Sequence, residues 1–295
     1  MLDGRPLVDA HLHVPVLGSL APAWLQWAGG FGDPEVMARV WDDDGRPRPA
    51  ALDELLAAEG VDVALLLCEY SPRVTGYQRF EDLLPLVAQN PQRFRPVANV
   101  NPHLHYPAHV ELARQLDAGA VALKLHPVHG GFRIDDPGLF GCYATLLERD
   151  LPLVVHCGTS SFPGSMNELA DPVLLAPLLR HFPGLQLVLA HGGRGWWYDA
   201  AAFLALAHDN VWIELSGLPP KRIPSYYQRH DLTRLARRFV FATDWPGVPG
   251  VARNARAVAG LGLPEETIRL ALGGNAARIY HLDLPEPITE PRGSS

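Results

Sequence analysis

The sequence predicts an α/β fold, a (β/α)8 barrel of the TIM type, on three observations. Short apolar runs recur eight times, helical patterns separate them, and residues with metal-ligand chemistry fall at the carboxyl ends of the runs. The runs are Leu7–His11, Val61–Cys68, Phe94–Val100, Val121–His126, Pro152–His156, Leu187–His191, Val211–Leu215 and Phe239–Thr243. Several are nearly continuous in Val, Leu and Ala, as strands covered on both faces of a parallel sheet read. A doubly wound open sheet is the alternative arrangement of the same elements.

The helices follow in order. Ala50–Glu59 ends at Gly60 and Ala108–Ala118 at Gly119, each glycine placed to close a helix in the left-handed conformation. Pro137–Arg149 carries Leu139, Tyr143 and Leu146 at helical spacing, and Asp171–His181, Ala200–His208, Asp231–Arg238 and Val251–Ala259 supply further helices. Glu265–Tyr280 is expected to break at Gly273-Gly274, with Asn275 capping a last short helix. Two connections are long: Val14–Pro49, which holds Trp24, Trp27, Phe31 and Trp41, and Ser216–Gln228. Structureless loops of this size are usually functional. Residues 1–282 read as one barrel domain and the Pro-containing stretch 283–295 as a flexible tail.

A chain of 295 residues, 47% hydrophobic and 19% charged, buries a core without staples. Its net charge of −7 argues against a general nucleic-acid binder. Cys68, Cys142 and Cys157 cannot all pair and match no zinc or disulfide frame, so a reducing cytoplasm is the expected home. No apolar run is long enough for a bilayer, and the first strand begins too early to leave room for a signal peptide. The expected partner is a small-molecule substrate, with neither nucleic acid nor membrane, and a homodimer is the base-rate assembly.

In such a barrel the chemistry lies at the carboxyl ends of the strands. The first run ends His11-Leu12-His13, and residues two apart on a strand share a face, so both imidazoles can meet one ion. His156 ends the fifth run, His191 the sixth, and Asp244 follows the eighth. A lone His-x-His pair is a weak signal. Five nitrogen and carboxylate donors delivered by four strands to one end make a metal site for zinc, manganese or iron.

The motifs VDAHLH (8–13), ALKLHP (122–127), LPLVVHCGTSSF (151–162), LVLAHGGRG (187–195), VFATDWPG (240–247) and LGGNAARIY (272–280) resemble the amidohydrolase superfamily. Within it they are similar to the amidohydrolase-2 group of decarboxylases, hydratases, lactonases and hydrolases. The resemblance implies His11, His13, His156 and Asp244 as metal ligands. It implies Asp244 and His191 as catalytic residues, with His191 a ligand in two-metal members. Lys124 matches a lysine that such members carboxylate to bridge two ions; its other reading is a core lysine paired with an acid such as Glu214. One divalent ion is the expected count and two the alternative. Zinc is the expected metal, with manganese and iron as alternatives.

Aromatic and basic residues follow the strand ends. Arg194, Trp196, Lys221, Arg222 and His126 are the candidate substrate contacts, because an Arg fork holds carboxylates and rings wall small-molecule pockets. Glu69, His103 and His105 also fall near the mouth. The expected reaction is hydrolysis of an ester, lactone or amide bond in a small carboxylate- or ring-bearing molecule by metal-activated water. The alternative is non-oxidative decarboxylation of an aromatic or enoic acid on the same ligands.

Overall fold

The structure, a computed structural model, describes residues 1–286; residues 287–295 of the expected tail lie outside the described residues. Eight strands run in chain order: β1 (Val8–His13), β2 (Val63–Leu67), β3 (Phe94–Asn99), β4 (Leu123–Leu125), β5 (Leu153–Gly158), β6 (Leu187–Arg194), β7 (Val211–Glu214) and β8 (Phe239–Val240). Each pairs in parallel with the next. β8 has only two ladder residues, and the chain beyond it completes the ring irregularly. Ala10 N–H donates to Phe241 O (3.1 Å), Asp244 N–H to His11 O (3.0 Å) and His13 N–H to Trp245 O (2.8 Å). The result is a nearly closed (β/α)8 barrel with helices outside.

The apolar residues divide into two cores. One takes Val8, Ala10, Val97, Val154, Val188 and Val240 with their counterparts on the other strands, and is plugged by Trp212 and Tyr280. It fills the barrel interior. The other, larger core packs the outward strand residues, such as Ala64, Leu66 and Leu189, against the helices. Both faces of each strand are therefore dry, which is why the runs read as continuous rather than alternating.

Three expectations need correction. The connection after β1 is not structureless: it forms helices Pro22–Phe31 and Pro34–Val40, each opened by a proline, where a missing N–H costs nothing. The last helix does not break at Gly273-Gly274. It passes through a π-helical turn, Leu270–Gly274, into Asn275–Tyr280. Gly273 is required there because a Cβ would stand 2.8 Å from Pro6 O. Asn275 is helical and caps nothing; its Nδ2 donates to Arg237 O (3.0 Å) and Phe239 O (2.7 Å), anchoring β8. A short hairpin after β2, Glu69–Ser71 with Gly76–Gln78, was not expected from the sequence and sets the position of Glu69. The three cysteines are free and buried. Among the described residues no helix is long and apolar enough to cross a membrane.

Candidate metal centre and active site

Strict alternation along β1 from the interior residues Val8 and Ala10 would turn His11 and His13 outward. The strand carries a bulge between Asp9 and Leu12, where its pairing with β2 shifts register. One extra residue reverses the phase. His11 and His13 then face the mouth, and Leu12 joins the outer core. Asp244 reaches the same point from the other side with a left-handed backbone, φ 67°. That conformation costs a non-glycine residue of order 1 kcal/mol or more and is held by surrounding bonds. Asp9, fully buried, supplies them: it accepts from Thr243 N–H (3.0 Å), Thr243 Oγ–H (2.6 Å) and His11 N–H (3.2 Å).

The three side chains converge closely. His11 Nε2 and His13 Nε2 are 3.2 Å apart, and Asp244 Oδ1 lies 3.6 Å from the first and 3.4 Å from the second. Ligand atoms about 2.05 Å from a tetrahedral zinc stand about 3.3 Å from one another. The triangle thus has the dimensions of one face of such a coordination shell, and the residues fit a divalent ion. Burial keeps His11 well below the usual histidine range, so its ring is neutral, as a ligand must be. Burial alone would raise the Asp244 carboxyl. The hydrogen bond from His13 and the electrostatic pull of the surrounding groups, the Arg194 guanidinium among them, outweigh it and hold the Asp244 carboxyl below its usual range. Behind the triangle, His11 Nδ1 meets both oxygens of Glu214 (3.1 and 3.0 Å). This fixes the tautomer that aims Nε2 at the ion. Glu214 has no exposed surface, and burial pushes its carboxyl up to about 7.

His156 and His191 stand beside the triangle. The His156 ring centroid is 4.4 Å from that of His191. Its Nε2 donates to Gly158 O (2.9 Å), and its buried Nδ1 has no partner, which leaves a free ligand atom at the edge of the site. His156 is not within 4.8 Å of all three members of the triangle. His191 sits at the start of an excursion in β6, where two extra residues loop out of register with β5. His191, Gly192 and Gly193 are all left-handed. Ser216 O accepts from His191 Nδ1 at 3.0 Å, so the opposite nitrogen, Nε2, is the one left for chemistry.

Arg194 ends the same excursion. Its guanidinium donates to Thr159 O (3.0 Å) and makes no salt bridge among the described residues. Gly217 lets it approach. A Cβ there would collide with Arg194 Nη1 and stand 3.3 Å from Asp244 Oδ2 and 3.5 Å from His191 Nδ1. Arg194, Asp244 and His191 therefore pack around one glycine, itself left-handed at φ 63°.

These groups line a cavity of about 650 Å³, the size of a small-molecule site. Trp24, Trp27, Phe31 and Phe162 form its apolar wall, and Lys221 and Arg253 reach its rim. On the side of β2 and β4 it is lined by Glu69, His126, His129, Thr75 and Ser160. Lys124 lies beneath, 2% exposed, its Nζ without a hydrogen bond, and burial lowers its pKa.

Of the candidate residues, the structure brings His11, His13 and Asp244 together and sets His156, His191, Arg194, His126 and Lys124 around them. Trp196 does not reach the cavity: it is 71% exposed, on the outer side of its loop. Arg222 is also exposed and off the cavity wall, to which the turn Pro220–Arg222 contributes Pro220 and Lys221. His103 and His105 lie outside the cavity as well. Sequence reasoning missed His129, which sits on the four-residue helix Pro127–Gly130 rather than at a strand end. Its three-residue spacing from His126 was the available signal.

A buried His–His–Asp triangle at the mouth of a parallel barrel, with a free guanidinium beside it, defines a metal-dependent barrel enzyme. A family model described as amidohydrolase matches residues 8–282, and the chain belongs to that family, in its amidohydrolase-2 group. Solved structures are similar in fold. An uncharacterised TIM-barrel protein from Bordetella bronchiseptica is 20% identical with a TM-score of 0.74, over 94% of this chain and 99% of that one. A 5-carboxyvanillate decarboxylase from Sphingomonas paucimobilis is 18% identical at 0.65, over 95% and 100%. A dihydroxybenzoic acid decarboxylase from Polaromonas, with bound manganese and 2-nitroresorcinol, is 17% identical at 0.65, over 94% and 97%. No curated protein sequence matches.

Proposed function

We propose that the protein is a metal-dependent carboxy-lyase that removes carbon dioxide from a small aromatic or enoic acid. The observation that carries this reading is Arg194, a guanidinium without a carboxylate partner held against two residues of the site, Asp244 and His191. A substrate carboxylate is the partner such a fork accepts in two parallel bonds. The decarboxylases among the similar folds support the same choice. This reverses the order of the two expectations from sequence, in which hydrolysis came first.

His11, His13 and Asp244, with His156 at the edge, would hold the ion, which when bound would supply a Lewis acid at the substrate's oxygens. Arg194 orients the carboxylate. Trp24, Trp27 and Phe162 flank the carbon skeleton and exclude water, which strengthens every charge interaction inside. The bond to the carboxyl carbon breaks and its electron pair stays on the carbon that remains. His191 Nε2 takes up a proton and passes it to that carbon, while Ser216 holds the other nitrogen. The metal is one first-row divalent ion, zinc or manganese, since availability selects among such ions at His and Asp ligands.

The test is product analysis on metal-loaded protein. Carbon dioxide release from hydroxylated benzoic or enoic acids in D2O, with one deuterium at the vacated carbon, is the expected result. Turnover confined to lactones, esters or amides would return the protein to the hydrolase reading.

A further inference from the structure

We infer that His129 is the partition that closes the catalytic cavity across from the metal triangle, and so limits the length of the ligand the cavity admits. Such a limit holds for a lyase and a hydrolase alike, and depends on the metal centre alone.

Two hollows meet at this residue. The catalytic cavity, of about 650 Å³, has His129 in its wall. A second hollow, of about 240 Å³, is lined by Pro72, Arg73, His103 and Leu104, and by Asn101 and His129. The first four are exposed, so the second hollow opens to the outer surface. Among the described residues His129 is the one that lines both. A single residue, 6% exposed, therefore stands between the reaction space and the outside of the barrel.

The topology places it across from the ion. In a ring of eight strands the first faces the fifth and the eighth faces the fourth. The triangle comes from β1 and the chain just after β8. His129 sits on the short helix Pro127–Gly130 that follows β4, and its partner Ser160 follows β5. A ligand held by one end at the triangle and extended across the cavity therefore runs toward His129.

Its hydrogen bonds lock the ring in place. Ser160 Oγ accepts from Ser165 Oγ–H (3.0 Å) and from Phe162 N–H (3.3 Å), so its own proton is left for His129 Nε2, 2.8 Å away. With Nε2 accepting, the proton of the neutral ring is on Nδ1, which donates to Thr75 Oγ1 at 3.4 Å. One face of the ring stacks on His126, centroids 3.7 Å apart, and Phe162 meets it at 5.5 Å and 82°. Swinging the ring aside would strand buried polar groups and break the stack, so it is a fixed wall and not a moving gate. Both nitrogens are spent on the protein. What His129 offers a ligand is its volume, neither a lone pair for a second ion nor a proton for the reaction.

The test is calorimetric titration of manganese-loaded protein with benzohydroxamate and 4-phenylbenzohydroxamate, which grip a divalent ion through two oxygens and differ in length by one ring. The parent protein should bind the shorter probe about tenfold more tightly than the longer. In His129→Ala the longer probe should gain about tenfold, its outer ring entering the joined hollows, while the shorter changes by less than about threefold. His129→Phe keeps a flat ring of similar size without the bonds to Ser160 and Thr75, and should retain the parent's preference. His129→Ser takes the place of the alanine variant should that one not fold. Equal affinity of the parent for both probes, or a small-residue variant that still rejects the longer one, overturns the partition. So does a gain in His129→Phe as large as that in His129→Ala, which would trace the effect to lost bonds instead of lost volume. Failure of the parent to bind benzohydroxamate removes the metal centre and the partition with it. Binding is read without turnover, so a protein that shows the length limit but releases no carbon dioxide overturns the lyase reading alone.

Discussion

The two halves of the barrel mouth are built to different standards of completeness. On the side of β1, β6 and β8 three working residues are already held from behind: His11 Nδ1 by Glu214, the Asp244 backbone by its N–H on His11 O, and His191 Nδ1 by Ser216 O. On the side of β2 and β4, Glu69 Oε1, His126 Nδ1 and Lys124 Nζ are buried with no hydrogen-bond partner among the described residues. The first half is held in the way the ligands of an ion would have to be. The second is equally buried, but these atoms are left unbonded among the described residues. Burial alone therefore does not tell the two sides apart; the state of their hydrogen bonds does.

This contrast can be broken by substitution, and the effects should differ in size. The largest is expected at Asp244. Asp244→Asn should keep the fold by circular dichroism and lower turnover by about a thousandfold, since the Lewis acid that its carboxylate would hold is worth several kcal/mol; near-normal turnover would remove Asp244 from the reaction. His11→Ala should follow, with bound metal falling below about a tenth of an equivalent by elemental analysis under conditions that load the parent protein. Glu214→Gln tests the supporting bond itself. It keeps the shape but changes the acceptor of His11 Nδ1, and metal affinity should fall roughly 10- to 100-fold by competition with a chelator. An unchanged affinity would mean that the preorganised half owes nothing to its outer bonds. Gly217→Ala should push Arg194 aside and raise KM about tenfold with metal content unchanged, a cost of about 1.4 kcal/mol. The smallest effect on metal is expected from Glu69→Gln, which should leave stoichiometry as it is because Glu69 belongs to the other half.

The fold was legible because strand and helix here depend on local patterns. Continuous apolar runs ended at His156 and His191, and glycines closed the helices at Gly60 and Gly119. The convergence of His11, His13 and Asp244 was legible in its members but not in its cause. Two residues apart means the same face, yet which face was decided by a bulge at Asp9–Leu12 that no periodicity announces. The role of Glu214 was hidden because its partner is 203 residues away. Trp196 misled because an aromatic residue after a strand end reads alike whether its loop folds inward or outward. His129 was passed over because it belongs to a short helix rather than a strand. Each miss concerns the direction of a side chain in irregular backbone, where sequence carries the least information.

The bonds that complete the barrel are made by the residues of the site. Asp244 N–H on His11 O, His13 N–H on Trp245 O and Asp9 on Thr243 join the first strand to the last, across more than 230 residues of chain. During synthesis, His11 and His13 emerge early and have no carboxylate ligand until the eighth strand leaves the ribosome. Acquisition of the ion then coincides with closure of the barrel, so a truncated or stalled chain has an incomplete triangle and the finished fold is the first state able to keep its metal.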